Sequence, residues 1–311
     1  MNRLILVPQY PTHLRYQEWW WHEFPARFKK YFDQVVTLGV DPFEQKREFK
    51  FVNLAPITPA IMFEASQIEQ YMAIEHHPGD ILLLNDLSFP GLFSNVLFHK
   101  SPVRCFAICH ATSKNKYDYF SADREYKWQI EKATSKLFDK VFVASEYHKD
   151  KLGWKNIEVL PFPDAPLDGI KAKYKKYDVV SVSRPVVQKR NFKFEKQIEK
   201  ALITNIISPI NSTWEGYYNF LAEAKVLLIT SKEETYGYQV VDAIKNHCVP
   251  IAPNGFSYPE LLPKEYLYSN LDECVQKIRQ ALYKGLPVPK LKTEEEAGKF
   301  YEKISNIMKY E

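Results

Sequence analysis

The chain has 311 residues, 45% of them apolar, and a formal net charge of +4 at neutral pH. That length predicts two domains rather than one, and the small net charge excludes basicity alone as grounds for nucleic-acid binding. Four cysteines (Cys105, Cys109, Cys248, Cys274) are too few and too scattered for a disulfide framework or a zinc site.

In chain order, Leu4 to Val7 reads as a buried strand cut off by Pro8 and Pro11. A helix is predicted from about Gln17 to Tyr31, and a strand from Gln34 to Leu38, closed by Gly39. After a Pro-marked stretch, Phe63 to Ile74 has helical spacing. Asp80 to Leu84 and Val103 to Cys109 are the continuous apolar runs expected of parallel strands covered on both faces. Helix Ala122–Phe138 and strand Lys140–Ala144 follow, then a helix capped by Ser145 and strand Glu158–Leu160.

A Pro- and Lys-rich linker at 161–177 precedes a restart of the pattern. It brings strand Tyr177–Ser183, a short helix near 192–200, strand Leu202–Ile207, helix Trp214–Ala224 and strand Lys225–Thr230. A helix at 237–246, strand Val249–Ala252 and helices at Leu271–Tyr283 and Thr293–Tyr310 complete it. Strands alternating with helices predict an α/β fold of two doubly wound parallel sheets. The N-terminal apolar run of four residues is too short for a signal peptide, and no segment reaches membrane-spanning length. The expectation is a cytoplasmic protein.

Charge is unevenly spread. Residues 171–200 carry ten Lys or Arg (Lys171, Lys173, Lys175, Lys176, Arg184, Lys189, Arg190, Lys193, Lys196, Lys200) against three acids. This stripe reads either as an anion-attracting surface or as a solvated linker and helix face.

The stretch Ser231-Lys-Glu-Glu-Thr-Tyr-Gly-Tyr-Gln-Val-Val-Asp242 puts a carboxylate, Glu234, just after a buried strand. A flexible Gly237 follows, and Asp242 lies eight residues beyond Glu234 inside a helix. Upstream, Ser183-Arg-Pro-Val-Val-Gln-Lys189 sets two cations, Arg184 and Lys189, five residues apart at a strand end. Together these resemble the acid-x7-acid and Gly-Arg…Lys signatures of family 4 glycosyltransferases, retaining enzymes of the two-Rossmann-domain (GT-B) class.

That resemblance implies residues 1–165 as an acceptor-side Rossmann-like domain, 178–292 as a compact nucleotide-sugar domain, and 293–311 as a helix crossing back onto the first. It implies a nucleotide-sugar co-substrate, a UDP-sugar by expectation, and no other cofactor. Arg184 and Lys189 would neutralise the diphosphate as the glycosidic bond breaks. Glu234 would contact the donor sugar, and Asp242, one methylene shorter than the family's usual Glu, would hold the ribose. Thr235, Tyr236, Gly237 and Tyr238 would line the site, with helix N–H groups facing phosphate. The Asn254–Glu260 turn resembles the family's Gly-rich turn ending in Pro-Glu. No Asp-x-Asp occurs, so no metal is expected.

His110, at the end of the Val103–Cys109 strand, stands where the family often sets a His against the donor sugar. Asp86, at another strand end, reads either as a catalytic group orienting an acceptor hydroxyl or as a helix cap. His13, Arg15, Tyr16, Trp19 and Trp20 form an aromatic and cationic segment on the acceptor side. Three consecutive Trp (19–21) cannot all enter one core, since successive helical residues lie about 100° apart. The segment fits double-stranded DNA by stacking and phosphate contact, the acceptor then being hydroxymethylcytosine, which phage transferases of this architecture modify. It also fits a lipid-linked or glycan acceptor at a membrane surface. A third reading of the segment is simple packing against the sheet, and for the chain as a whole the alternative to an enzyme is a non-catalytic nucleotide-sugar-binding protein.

Overall fold

The computed structural model describes residues 2–13, 15–40, 58–87, 103–117, 124–183, 189–209 and 213–311. Two parallel sheets form the frame. The first has six strands, β1 (Arg3–Val7), β2 (Gln34–Thr37), β3 (Ile81–Leu84), β4 (Arg104–Ile108), β5 (Lys140–Val143) and β6 (Ile157–Val159), in the order β2-β1-β3-β4-β5-β6. The second has five, β7 (Tyr177–Val180), β8 (Ile206–Ile207), β9 (Ala224–Leu228), β10 (Val249–Pro253) and β11 (Leu267–Tyr268), ordered β11-β10-β9-β7-β8. Every pairing is parallel, with Ile5 opposite both Val36 and Leu82, and Val179 opposite Val226.

The central strands are apolar on both faces because helices cover both faces. Every residue of β1 and of β3 is buried. Chain order reverses between β1 and β3 in the first sheet, and between β7 and β9 in the second. Crevices at the carboxyl ends of strands beside such reversals are where open α/β sheets take ligands.

The expected strand at Leu202–Ile207 shrinks to two residues. Ile203 adopts a left-handed φ of 54° and caps the preceding helix, α5 (Phe192–Leu202), so Leu202 and Ile203 are taken from that run. The expected helix at Thr293–Tyr310 is split into Glu294–Gly298 and Phe300–Tyr310, the latter labelled α11 below.

Helix α1 (Tyr16–Phe28) explains the Trp run. Trp20, Phe24 and Phe28, spaced four apart on one face, are fully buried, and the Trp20 and Phe24 rings stack at 4.2 Å. They meet Phe300 and Tyr301 of α11 and Phe162 of the segment joining the sheets. Trp19 is also buried, against Tyr238 of the second domain, while Trp21 is half-buried against Phe63. One apolar cluster therefore runs from Leu4 and Phe106 through these rings to Val179 and Leu227, joining the two domains. Helix α11 is also tied to the first sheet by Arg104, which donates to the Met308 carbonyl at 3.0 Å. Among the described residues, no helix is long and apolar enough to cross a membrane.

Trp20→Ala should lower the unfolding free energy by about 3–5 kcal/mol, the usual cost of deleting a large buried aromatic side chain. Urea denaturation measures it, and a loss below about 1 kcal/mol would contradict a core role for this ring.

Candidate functional site

The loop leaving β9 carries the acidic signature. Ile229, Thr230 and Ser231 are buried, and the chain then runs through Lys232–Tyr236 to Gly237. Gly237 takes a φ of 107°, and a Cβ there would meet Leu261 at 3.0 Å and Tyr258 at 3.3 Å. The turn therefore requires glycine, and the packing leaves little room for a side chain. Helix α7 (Tyr238–Lys245) starts directly after it. Gln239, in its first turn, accepts from the Ser183 hydroxyl at 3.0 Å and donates to the Ser231 hydroxyl at 3.3 Å. It links the carboxyl ends of β7 and β9 at the chain reversal of the second sheet.

Glu234 is half-buried, and its carboxylate accepts from the Thr235 backbone N–H at 3.0 Å. Its neighbours in the loop are stitched to the first domain. The Thr235 hydroxyl donates to the His110 carbonyl at 2.6 Å, the Ser145 hydroxyl donates to the Thr235 carbonyl at 2.6 Å, and the Tyr236 hydroxyl donates to the Phe162 carbonyl at 2.7 Å. The Ser257 hydroxyl, in the Asn254–Glu260 turn, braces the loop through the Tyr236 carbonyl at 2.8 Å. Arg184 lies outside the described residues. Lys189 is half-buried beside Arg190.

Asp242 is buried under the Tyr217 and Tyr218 hydroxyls, which donate to its two carboxylate oxygens at 3.1 Å each. Burial pushes its carboxyl up to about 7, against the lowering effect of the two phenols and of Lys245. The structure thus assigns this carboxylate two internal partners, from α6 (Trp214–Ala222).

On the first sheet, Asp86 is buried at the carboxyl end of β3 and accepts from the Gln9 amide at 2.6 Å and the Tyr16 hydroxyl at 3.4 Å. The Tyr16 ring stacks on His110 at 4.0 Å and faces Tyr238 at 6.0 Å. Tyr16, Asp86 and His110 are therefore brought together, at the reversal of the first sheet and opposite the start of α7. His13 is exposed and pairs with Glu18 at 3.1 Å, and Arg15 is half-buried at the start of α1. Glu18 in turn accepts from the Trp214 indole at 2.9 Å. Trp19 and Trp20 of the same expected group are packed in the seam, not presented on a surface.

The basic stripe is not one patch. Arg190 is buried in an ion pair with Glu195 and donates to the Ser208 hydroxyl at 2.7 Å. Lys175 donates to the Ala222 and His247 carbonyls at 2.7 Å each, and Lys176 pairs with Glu223. Lys193, Lys196 and Lys200 are exposed, and their spacing sets them along one side of α5.

Four sets of contacts around these residues could not be read from the sequence. Glu233 is buried and accepts from the Asn115 amide at 3.0 Å and the Tyr117 backbone N–H at 3.2 Å, and it pairs with Lys151. Glu260 accepts from the Glu146 and Tyr147 N–H groups at 2.8 and 2.9 Å, so its carboxylate caps α4 (Glu146–Leu152) from across the seam. Gln9 ties Tyr16 to Asp86, and Gln239 ties Ser183 to Ser231. The sequence signal was adjacency for Glu233 beside Glu234 and Gln239 beside Tyr238, and the Pro-Glu turn for Glu260; Gln9 had none. Among the described residues, no three His, Cys, Asp or Glu side chains are grouped to hold a metal ion.

No family model matches the chain. Similarity to solved structures spans nearly its full length. The sucrose-phosphate synthase of Thermosynechococcus elongatus superposes with a TM-score of 0.62 at 12% identity, covering 99% of this chain and 97% of that one. The Anabaena protein HepE in complex with UDP-glucose gives 0.62 at 10%, covering 99% and 95%. The lipopolysaccharide outer core galactosyltransferase WaaB gives 0.61 at 11%, covering 98% of each. The fold is that of the GT-B glycosyltransferases. A curated relative, the tRNA-queuosine alpha-mannosyltransferase of Drosophila melanogaster, is 29% identical over 83 residues, which is 27% of this chain and 22% of that protein.

Asp242 links the site to pH. Its folded-state carboxyl titrates near 7, above the unfolded value of about 4. The stability it contributes is therefore fully present below about pH 4 and is lost as the pH rises through about 7. Asp242→Asn should remove that part of the fall in Tm between pH 4 and 7, measured by thermal unfolding across this range. Equal slopes in both proteins would show that the carboxyl does not titrate there.

Proposed function

We propose that this chain is a nucleotide-sugar-dependent retaining glycosyltransferase, with a UDP-sugar as donor and a hydroxymethylated pyrimidine, hydroxymethylcytosine in DNA, as acceptor. The observation that carries the reading is a juxtaposition on a GT-B frame. Glu234 and the start of α7 lie at the carboxyl end of β9, and the same loop is bonded to His110 at the carboxyl end of β4. Two chain reversals thus face each other, as a donor and an acceptor must.

In this reading Arg184 and Lys189 neutralise the diphosphate, and the α7 N–H groups face a phosphate. Glu234 accepts hydrogen bonds from the sugar, beside Thr235, Tyr236, Gly237 and Tyr238. The bond from the anomeric carbon to the phosphate oxygen breaks as the acceptor oxygen attacks on the same face. The departing phosphate takes the acceptor's proton. Protein side chains then act by position and charge. Asp86, His110 and Tyr16 stand on the acceptor side, with His13 and Arg15 at the rim. Trp19 and Trp20 support α1 from the core.

The exposed Lys193, Lys196 and Lys200 support a nucleic-acid acceptor, since α5 begins beside the carboxyl end of β9. The Asn191 N–H there donates to the Thr230 hydroxyl at 3.2 Å. A second reading, a modified nucleoside in tRNA, is favoured by the 83-residue match to a transferase acting on that class of acceptor. Incubation with UDP-glucose and either hydroxymethylated duplex DNA or bulk tRNA, followed by mass spectrometry of the nucleosides, separates the two. Transfer to neither, with transfer to a lipid-linked or glycan acceptor, overturns both.

Arg184→Ala should lower kcat by roughly two orders of magnitude at saturating donor, because its charge acts mainly in the transition state. Steady-state kinetics checks this, and unchanged turnover would remove the diphosphate assignment.

With DNA as acceptor, affinity should fall steeply with salt through counterion release. Neutralising Lys193, Lys196 and Lys200 together should weaken binding to every sequence and flatten the log–log salt slope by up to about 2.7, or about 0.9 per phosphate contact. Fluorescence anisotropy over a range of salt concentrations reads both. An unaltered slope places the DNA elsewhere on the protein.

A further inference from the structure

Glu233 precedes the carboxylate assigned to the donor sugar, yet it belongs to the opposite half of the molecule by its contacts. Its side chain is only 5% exposed. It accepts from the Asn115 amide and the Tyr117 N–H, both on the segment that follows His110, and it pairs with Lys151 on α4. On the other side of Glu234, the Thr235 hydroxyl reaches the His110 carbonyl at 2.6 Å. Glu234 is thus flanked by two residues held by the first domain. Its own carboxylate bonds within the loop, to the Thr235 N–H.

We propose that Glu233 is a positioning residue for Glu234, and that Asn115, the Tyr117 backbone and Lys151 form the first-domain clamp that holds it. The proposal rests on the transferase reading given above. Burying Glu233 against Lys151 costs desolvation of both groups, and their attraction with the two hydrogen bonds offsets that cost. The contact adds little net stability but fixes where the loop sits. The clamp sets the donor carboxylate relative to the loop that carries His110. A small displacement of a reacting group costs far more in rate than in binding, since the chemistry depends on ångström-scale alignment.

The test compares Glu233→Ala, Glu233→Gln and Asn115→Ala with the wild type, by turnover of UDP-glucose and by calorimetric titration with UDP, ADP and GDP. Glu233→Ala should lower kcat about tenfold or more while the affinity for the bound nucleoside diphosphate changes less than about twofold. Glu233→Gln keeps one of the two acceptor oxygens, so it can accept from Asn115 or from Tyr117 but not from both, and it should recover part of the lost turnover. Asn115→Ala removes the bond to Glu233 together with those that Asn115 accepts from the Thr112 N–H and hydroxyl, all outside β9, and it should give an intermediate loss. Wild-type turnover in Glu233→Ala overturns the proposal. So does a parallel loss of nucleotide affinity and turnover in all three variants, which marks a merely structural contact. If Glu233→Ala does not fold, Asn115→Ala and Glu233→Gln decide by the same criterion. A wild-type protein that binds none of the three nucleotides removes the transferase reading, and this inference with it. Binding with unchanged variant kinetics removes the inference alone.

Discussion

Two carboxylates in the seam between the sheets accept backbone N–H groups that belong to the other domain, Glu233 from Tyr117 and Glu260 from Glu146 and Tyr147. The short helix α4 shows how much depends on this. Its first two N–H groups go to Glu260, its third to the Ser145 hydroxyl and its fourth to the Ser145 carbonyl. Half of the helix start is therefore capped by a side chain of the second domain. Ser145 in turn donates to Thr235, in the loop that carries Glu234. Buried polar groups must find partners, and here the partners fix the relation between the two halves.

Around these polar contacts lies an aromatic layer. Trp20, Phe24, Phe162 and Phe300 pack the seam, and Tyr16, His110 and Tyr238 continue it to the mouth of the expected site. Dispersion in such a layer is additive and weakly directional, so it holds the domains together without dictating their register. The hydrogen bonds dictate register. This division explains why α11 is both deeply buried through Phe300 and Ile304 and anchored at its end by Arg104 to the Met308 carbonyl.

The same division separates what was legible from what was not. Strand and helix order followed from apolar runs and breakers, and Leu271–Tyr283 has the same bounds in sequence and structure. Errors arose where two local tendencies competed. Leu202 and Ile203 look like the start of a strand, but α5 extends through Leu202 and Ile203 caps it. The ten cations of 171–200 looked like one surface, and three of them are engaged in internal contacts through Arg190, Lys175 and Lys176. A charge count along the chain cannot see a partner such as Glu195, Glu223 or the carbonyl of His247.

By itself the sequence determined two parallel α/β sheets, and it determined that Glu234 and Gly237 follow a buried strand, because hydrophobic period and turn chemistry are local properties of the chain. Tertiary structure alone decided which polar residues meet. Asn115, Lys151 and Glu233 lie far apart in the chain, and nothing in their spacing marks them as neighbours. Asp242 could not be seen to lie under two tyrosine hydroxyls until α6 packed on α7. Local periodicity is written in one dimension, whereas the desolvation that forces a carboxylate to find its donors exists only once the chain has closed around it.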